Sequence, residues 1–257
     1  KIITYYKSLL RFILILIHDF PLFISSISIE LVSLFGPHFT QLRNILLSSS
    51  VSDLPPISVN PFSFNNFQPI RQIIPELATE MDFESQLDKE NRNIKALVSC
   101  VEKKTGTTAV HSFIIFLINR LAPEFNSSDI EQSAKGNKLI ELLIEFFDAA
   151  HSEIQVNILH AFFDYLRLPG RVTAIFIRVI LELFSRPHEK GRPKLEEPIV
   201  TIAFKRFSTP APRPWGLRVL VRHLIADPTI NIMKKPYVSQ SAEVKEFAKA
   251  VKKAVDQ

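Results

Sequence analysis

The chain has 257 residues, of which 46% are hydrophobic and 22% are charged, a composition typical of a globular protein that buries a sizeable core. Its 6 glycines stand at least 21 residues apart, which excludes the Gly-rich phosphate loops of P-loop NTPases and dinucleotide-binding proteins. The net charge of +5 is uneven, because residues 1–185 hold 16 Lys/Arg and 19 Asp/Glu whereas residues 186–257 hold 15 and 7. This basic C-terminal third indicates either solvated lysines on exposed helix faces or a surface for RNA or an acidic partner.

The N-terminal segment is apolar and has helical periodicity, which predicts a core helix from Ile2 to Ile17. A membrane span needs about 20 apolar residues, and this run is interrupted by Arg11 and ends at His18 and Asp19. We therefore predict no membrane span. The first residue is Lys1 rather than Met, which suggests a segment of a longer protein.

A second helix is expected after Pro21, with Asp19 as its cap, and Gly36-Pro37 is expected to end it. The next segment, residues 48–75, contains five prolines and cannot be one continuous helix. Its phenylalanines Phe62 and Phe64 alternate with polar residues, which predicts an ordered, extended strip that packs on the helices.

In the second half of the chain, apolar residues recur at the spacing of an α-helix. Lys138–Phe147 is apolar nearly all round, which predicts a central buried helix. Further helices are predicted over 152–168 and 172–183, and Gly170 is expected to end the first of them. Two more helices are predicted, one from Trp215 to Asp227-Pro228 and one from Ser241 onward. A charged loop is expected around Pro187, Gly191 and Pro193. About ten helices with short connections predict an all-α fold of stacked antiparallel helix pairs, a HEAT-like α-solenoid, and we expect one domain over residues 1–257.

The sequence contains no motif for catalysis or metal binding. The seven histidines form no HExxH or i, i+4 pair, and the single Cys100 excludes a CxxC site and an internal disulfide. The carboxylate pairs Glu141/Glu145 and Glu196-Glu197 are read as a solvated helix face and a helix start. We therefore predict a protein with no cofactor and no catalytic or metal site, keeping an enzyme with a site assembled over long range as a remote alternative.

Arginines cluster around the only tryptophan. Arg213, Arg218 and Arg222 surround Trp215, and Arg218 and Arg222 share a helix face. An exposed Trp215 beside these arginines would bind RNA or an acidic peptide, whereas a buried Trp215 would anchor the helix start. We favour the buried tryptophan. The partner-binding residues we predict are basic: Arg213, Arg218, Arg222, Lys249 and Lys252.

Three separated motifs, in this order and spacing, resemble a known family. They are the HDFP turn with His18, Asp19 and Pro21, the QLRN stretch with Gln41, Arg43 and Asn44, and the RPWGL stretch with Pro214, Trp215 and Gly216; a further stretch, Leu159–Pro169, lies between the last two. Together they resemble the C-terminal homology domain of the large Not scaffold subunit of the Ccr–Not deadenylase complex, of which this chain would be a divergent member.

The resemblance implies a non-catalytic scaffold in mRNA deadenylation, mRNA decay, translational repression and transcription regulation, in the cytoplasm and nucleus. Its implied partners are a heterodimer of Not-box subunits and short peptide motifs of RNA-binding regulators. The alternative is a helical-repeat domain that binds RNA directly through its basic C-terminal third.

Overall fold

The structure is a computed structural model, and it describes residues 2–49, 98–99, 101, 107–121, 138–186, 194–230, 232–240, 245, 249 and 251. These residues form α-helices and no strand. The helices are α1 (Ile2–Asp19), α2 (Pro21–Leu34), α3 (Thr40–Leu47), α4 (Thr107–Leu121), α5 (Lys138–Ala149), α6 (Ser152–Asp164), α7 (Arg171–Ser185), α8 (Glu196–Ser208), α9 (Trp215–Ala226) and α10 (Pro236–Gln240), with a 3₁₀ turn at Ile232–Lys234. The predicted all-α fold is confirmed.

The helices stack in layers along the chain. Helix α1 packs on α2 and α3, α2 packs on α3 and α4, and α4 packs on α5 and α6. Helices α7, α8 and α9 pack on one another at the other end, and α8 also reaches back to α3. This arrangement confirms the predicted architecture of stacked helix pairs.

Helix α5 is the central buried helix that its sequence predicts. Its apolar side chains, including Leu143 and Phe146, are fully buried, and Phe146 packs on Phe113 of α4 with ring centroids 4.4 Å apart. The two carboxylates Glu141 and Glu145 are exposed on one face, so the solvated-face interpretation of that pair is confirmed.

Helix α1 differs from its prediction. The segment is helical, but Ile13 is its only fully buried side chain among those the structure describes. Helix α1 lies at one end of the stack, against α2 and α3. Leu9, Leu10, Leu16 and Ile17 are half-buried against the core, whereas other apolar side chains of the helix are exposed: Ile3, Tyr5, Phe12, Leu14 and Ile15. The sequence correctly predicts a helix that packs on the core, but the helix is only partly buried.

Two predicted helix ends are also wrong. Asp19 is the last residue of α1 and pairs with His18, while Phe20 occupies the N-cap of α2 without a side-chain cap. Helix α6 ends at Asp164, before Gly170, and Gly170 stands at the N-cap of α7. After Asp164 the chain turns toward α7, and Thr173 Oγ1 lies within hydrogen-bonding distance of the carbonyl oxygens of Tyr165 (3.1 Å) and Leu168 (2.6 Å).

Some predictions lie outside the described residues. These are the Pro-rich strip beyond Ser49, the loop containing Pro187, Gly191 and Pro193, the helix start at Ser241, and Cys100 and Lys252.

The start of α9 packs closely on the connection between α6 and α7. The backbone N–H of Trp215 donates to the carbonyl of Arg167 at 2.9 Å, and the Trp215 ring is 5% exposed. Trp215 is therefore buried, as we expected. A Cβ on Gly216 would lie 2.4 Å from Thr173 Cγ2 and 3.0 Å from the backbone of Leu166, so only glycine fits here without a shift of α9.

We expect Gly216→Ala to lower the free energy of unfolding by about 1–3 kcal/mol, since the added methyl overpacks a backbone contact. Urea unfolding followed by circular dichroism measures this change. Gly36→Ala is the matched control, because a Cβ at Gly36 would meet nothing within 4 Å. Equal stability of the two variants would contradict the close approach of α9.

Candidate partner-binding surface and its buried support

A cluster of charged side chains lies in the middle of the stack. Asp164, at the end of α6, is fully buried and forms ion pairs with Arg43 of α3 and Arg206 of α8. The Arg206 Nη1–Asp164 Oδ1 distance is 2.7 Å, and His111 Nε2 of α4 lies 3.2 Å from Asp164 Oδ2. One carboxylate therefore connects four helices that are distant in sequence.

The two arginines of this cluster also satisfy backbone carbonyls. Arg43 Nη1 donates to the carbonyls of Val32 (3.1 Å) and Phe35 at the C-terminal end of α2. Arg206 Nη2 donates to the carbonyl of His160 at 3.1 Å. The C-terminal end of a helix carries partial negative charge, so a buried guanidinium there is favourable.

Arg167 forms a second buried contact, without a carboxylate. Its guanidinium donates to the carbonyls of Leu47 (3.2 Å), Ser49 (2.9 Å) and Ser25 (3.1 Å). Burial lowers the pKa of Arg167 to about 10, so the side chain remains a cation at neutral pH. Arg167 thus ties the first half of α2 and the end of α3 to the connection that supports Trp215.

Asn44 adds a neutral link between α3 and α8. Its Nδ2 donates to the carbonyl of Arg206 (2.8 Å) and to Thr209 Oγ1 (2.7 Å). Because Asn44 is fully buried, these bonds offset the desolvation of its amide NH₂ group.

The charges within the cluster determine its ionisation. Burial alone would raise the pKa of Asp164, but attraction to Arg43 and Arg206, together with the His111 side chain, outweighs burial and holds the pKa well below its usual range. Burial, followed by repulsion from Arg206, lowers the pKa of His160 to about 4. At neutral pH the carboxylate is therefore charged and His160 is neutral.

The residues of the sequence motifs divide into two groups. Arg43, Asn44, Pro214, Trp215 and Gly216 are buried. In the HDFP turn, by contrast, His18 and Asp19 are exposed, with His18 Nδ1 2.9 Å from Asp19 Oδ1. Pro21 and Gln41 are half-buried.

The predicted basic surface is only partly assembled. Arg218 of α9 and Lys249 are exposed, and Arg222 is half-buried. Arg213 stacks on Phe207, with its guanidinium carbon 4.9 Å from the ring centroid, and donates to the carbonyl of Phe207. The Phe207 contact means that Arg213 also positions the α8–α9 connection.

Within the described residues, no group of three or more His, Cys, Asp and Glu side chains could hold a metal ion. No helix in that part of the chain is long and apolar enough to cross a membrane.

A family model described as "CCR4-Not complex component, Not1" matches residues 1–91 and 65–252. The chain belongs to the Not1 family. It is a divergent member, since the general negative regulator of transcription subunit 1 of Schizosaccharomyces pombe is 23% identical over 93% of this chain, and CCR4-NOT transcription complex subunit let-711 of Caenorhabditis elegans is 24% identical over 93%. The chain spans 12% and 10% of the length of these two relatives.

Two solved structures share the fold. The NOT1 superfamily homology domain from Chaetomium thermophilum superposes with a TM-score of 0.73 at 20% identity, covering 97% of this chain and 54% of that one. A Not1 C-terminal domain solved in complex with Not4 gives a TM-score of 0.76 at 19% identity, covering 94% of this chain and 54% of the other.

Sequence reasoning missed two features. Asp164 and Arg206 were given no role, although Asp164 is the only acidic residue in the apolar stretch Ala161–Leu168, and a charge in such a stretch is usually buried with a partner. The exposure of several apolar side chains of α1 was also missed, because periodicity identifies a helix without showing what covers it.

Proposed function

We propose that this chain is a non-catalytic, protein-binding scaffold of a CCR4-Not complex. Not-box subunits would dock on it as a heterodimer, and short peptide motifs of RNA-binding regulators would bind it in mRNA deadenylation, mRNA decay and translational repression. We infer one helical-repeat domain over residues 1–257, acting in the cytoplasm and nucleus. The observation that carries the proposal is the likeness to the Not1 C-terminal domain solved in complex with Not4.

The buried charge cluster supports a scaffold role. A scaffold must hold its surfaces in fixed relative positions, and Asp164, Arg43 and Arg206 join helices from both ends of the stack. The cluster has 0–3% exposed side chains, so its charges serve packing and are inaccessible to a substrate. Affinity would then come from surface area and a few anchors, and a permanent partner would bury roughly 2,000 Å² or more.

We propose that exposed cations of the C-terminal third, Arg218 and Lys249 among them, steer acidic partner segments toward this end of the stack. Charges at the rim of an interface raise the association rate more than they raise affinity. Arg213, Arg222 and Lys252 stay in the proposed surface, although Arg213 also contacts Phe207.

We expect Arg218→Glu to slow association with the Not-box heterodimer of the same organism by about threefold at low salt and to weaken its salt dependence. Surface plasmon resonance at two salt concentrations measures both effects. Arg11→Glu is the matched control, because Arg11 is also an exposed helix arginine but lies on α1, at the other end of the stack. Unchanged kinetics for Arg218→Glu would remove α9 from the binding surface, and no capture of the heterodimer by the unmutated chain would overturn the scaffold proposal.

Direct RNA binding is the second candidate, and the excess of 15 basic over 7 acidic residues in 186–257 is the observation that favours it. The logarithm of the affinity for RNA would fall steeply and linearly with the logarithm of the salt concentration. The affinity of an interface with apolar anchors would fall less over the same range of salt. Titrating a labelled single-stranded RNA at several salt concentrations distinguishes the two. A steep slope with no Not-box binding would favour the RNA-binding domain.

A further inference from the structure

The turn between α8 and α9 contains a threonine followed directly by a proline. Thr209-Pro210 is the only Thr-Pro in the 257 residues, which contain no Ser-Pro. The neighbouring residues 208 and 210–212 are exposed, and Thr209 itself is half-buried. One large class of protein kinases requires a proline directly after the residue that accepts the phosphate, so the sequence of this turn matches the specificity of that class.

A second acceptor sequence overlaps the first, and the structure distinguishes the two. Ser208 follows Lys205 and Arg206, an arrangement that kinases selecting upstream cations recognise. The side chain of Arg206 is 3% exposed and paired with Asp164, so such a kinase could not bind it in the folded chain. Thr209, by contrast, precedes an exposed proline and has an extended backbone, with φ −67° and ψ 154°. Peptide substrates bind to kinases in an extended conformation, so the geometry favours Thr209 over Ser208.

The hydroxyl of Thr209 connects α8 to α3. Thr209 is the C-cap of α8, and its Oγ1 donates to the carbonyl of Arg206 at 2.8 Å and accepts from Asn44 Nδ2 at 2.7 Å. A phosphoryl group on Oγ1 would replace the proton that the Arg206 carbonyl accepts and would add a charge of about −2 at the end of α8. The C-terminal end of a helix already carries partial negative charge, so this position is unfavourable for the phosphate. The phosphorylated side chain would therefore move away from α8, and Asn44 would lose this acceptor.

We propose that Thr209 is a phosphorylation site for a proline-directed protein kinase, and that phosphorylation loosens the contact between α3 and α8. In the transfer, Thr209 Oγ1 forms a bond to the γ-phosphorus of Mg-ATP while the bond from that phosphorus to the β–γ bridging oxygen breaks. ADP leaves, and the hydroxyl proton passes to the catalytic base of the kinase. The transfer requires a local opening of the turn that frees the hydroxyl from Asn44. This site does not depend on the partner-binding function proposed above.

Phosphorylation of the purified full-length gene product in solution tests the proposal. The protein is incubated with Mg-ATP and a mitogen-activated protein kinase or, separately, a cyclin-dependent kinase, and the phosphate on each residue is quantified by peptide mass spectrometry. Pro210→Ala is the matched control, because it keeps the acceptor hydroxyl and changes an exposed side chain. We expect phosphate on Thr209, and modification at least about tenfold slower in Pro210→Ala.

The structural effect is measured by hydrogen–deuterium exchange of the same protein before and after phosphorylation. We expect the amides of α3 and of the last turn of α8 to exchange about fivefold faster, as the loss of one hydrogen bond between them predicts. Helix α5, which packs on α4, α6 and α7, is the internal control and should keep its exchange rate.

Three results would overturn the proposal. Absence of phosphate from Thr209 in the folded protein, while a synthetic peptide of residues 204–214 is modified, would show that the turn does not open to the kinase. Modification of Thr209 at equal rates in the unmutated protein and in Pro210→Ala would exclude a proline-directed kinase. Unchanged exchange in α3 and α8 after complete phosphorylation would show that the Thr209 hydroxyl does not hold these helices together.

Discussion

Replacing Asp164 with asparagine is expected to lower the free energy of unfolding by about 3–5 kcal/mol, the usual loss when one partner of a buried ion pair is removed. The neutral amide would leave Arg43 and Arg206 buried without their counter-charge. Both guanidiniums would retain their carbonyl acceptors at Val32 and His160, so part of their desolvation stays offset. Chemical denaturation at neutral pH measures the change.

Asp148→Asn is the matched control for that variant. Asp148 also pairs with an arginine, since Arg186 Nη1 lies 2.7 Å from both carboxylate oxygens, but this pair is partly exposed. A partly exposed pair contributes about 1 kcal/mol or less. If Asp164→Asn cost no more than Asp148→Asn, the buried cluster would not stabilise the stack.

The same cluster predicts a dependence of stability on pH. The folded-state pKa of Asp164 is depressed, so its contribution is fully present above the unfolded value of about 3.9 and is lost as the pH falls further. His160 acts over a higher range: between its ordinary pKa of 6.5 and its folded pKa of about 4, only the unfolded chain binds this proton. The free energy of unfolding should therefore fall as the pH drops below 6.5. In Asp164→Asn, the part of this fall that occurs below about pH 4 should be absent.

Trp215→Ala is expected to cost about 3–5 kcal/mol, because it removes a large buried ring at the start of α9 and leaves a cavity. The ring is 5% exposed, and the helix it begins buries Leu217 and Leu220. Thermal unfolding monitored by circular dichroism measures the loss. Trp215→Phe fills more of the site and should be the milder change.

The alternative role of Trp215 is tested in the same experiment. If Trp215→Ala kept its melting temperature and lost affinity for the Not-box heterodimer, the ring would be a binding residue and its assignment to the core would be wrong. A loss of stability with partner affinity retained in the folded fraction would support the core role.

The local pattern of the sequence predicts the helices well and the tertiary surroundings poorly. Helical periodicity identifies α5, α7 and α9 because all the apolar residues that define the pattern of one helix belong to a single continuous segment of the sequence. Helix α1 has the same pattern, yet only Ile13 is fully buried among its described side chains. Covering a helix requires neighbours from elsewhere in the chain, and periodicity does not specify them.

The sequence by itself determined the all-α class, the family motifs and the uneven charge, and it favoured a buried Trp215 over an exposed one. The tertiary structure alone decided what the motif residues do. Arg43 and Asp164 are 121 residues apart in the chain and form an ion pair, and Asn44 reaches the carbonyl of Arg206 across 162 residues. Charged groups find such partners only when the helices that carry them are packed, because burial raises the cost of leaving a charge unpaired.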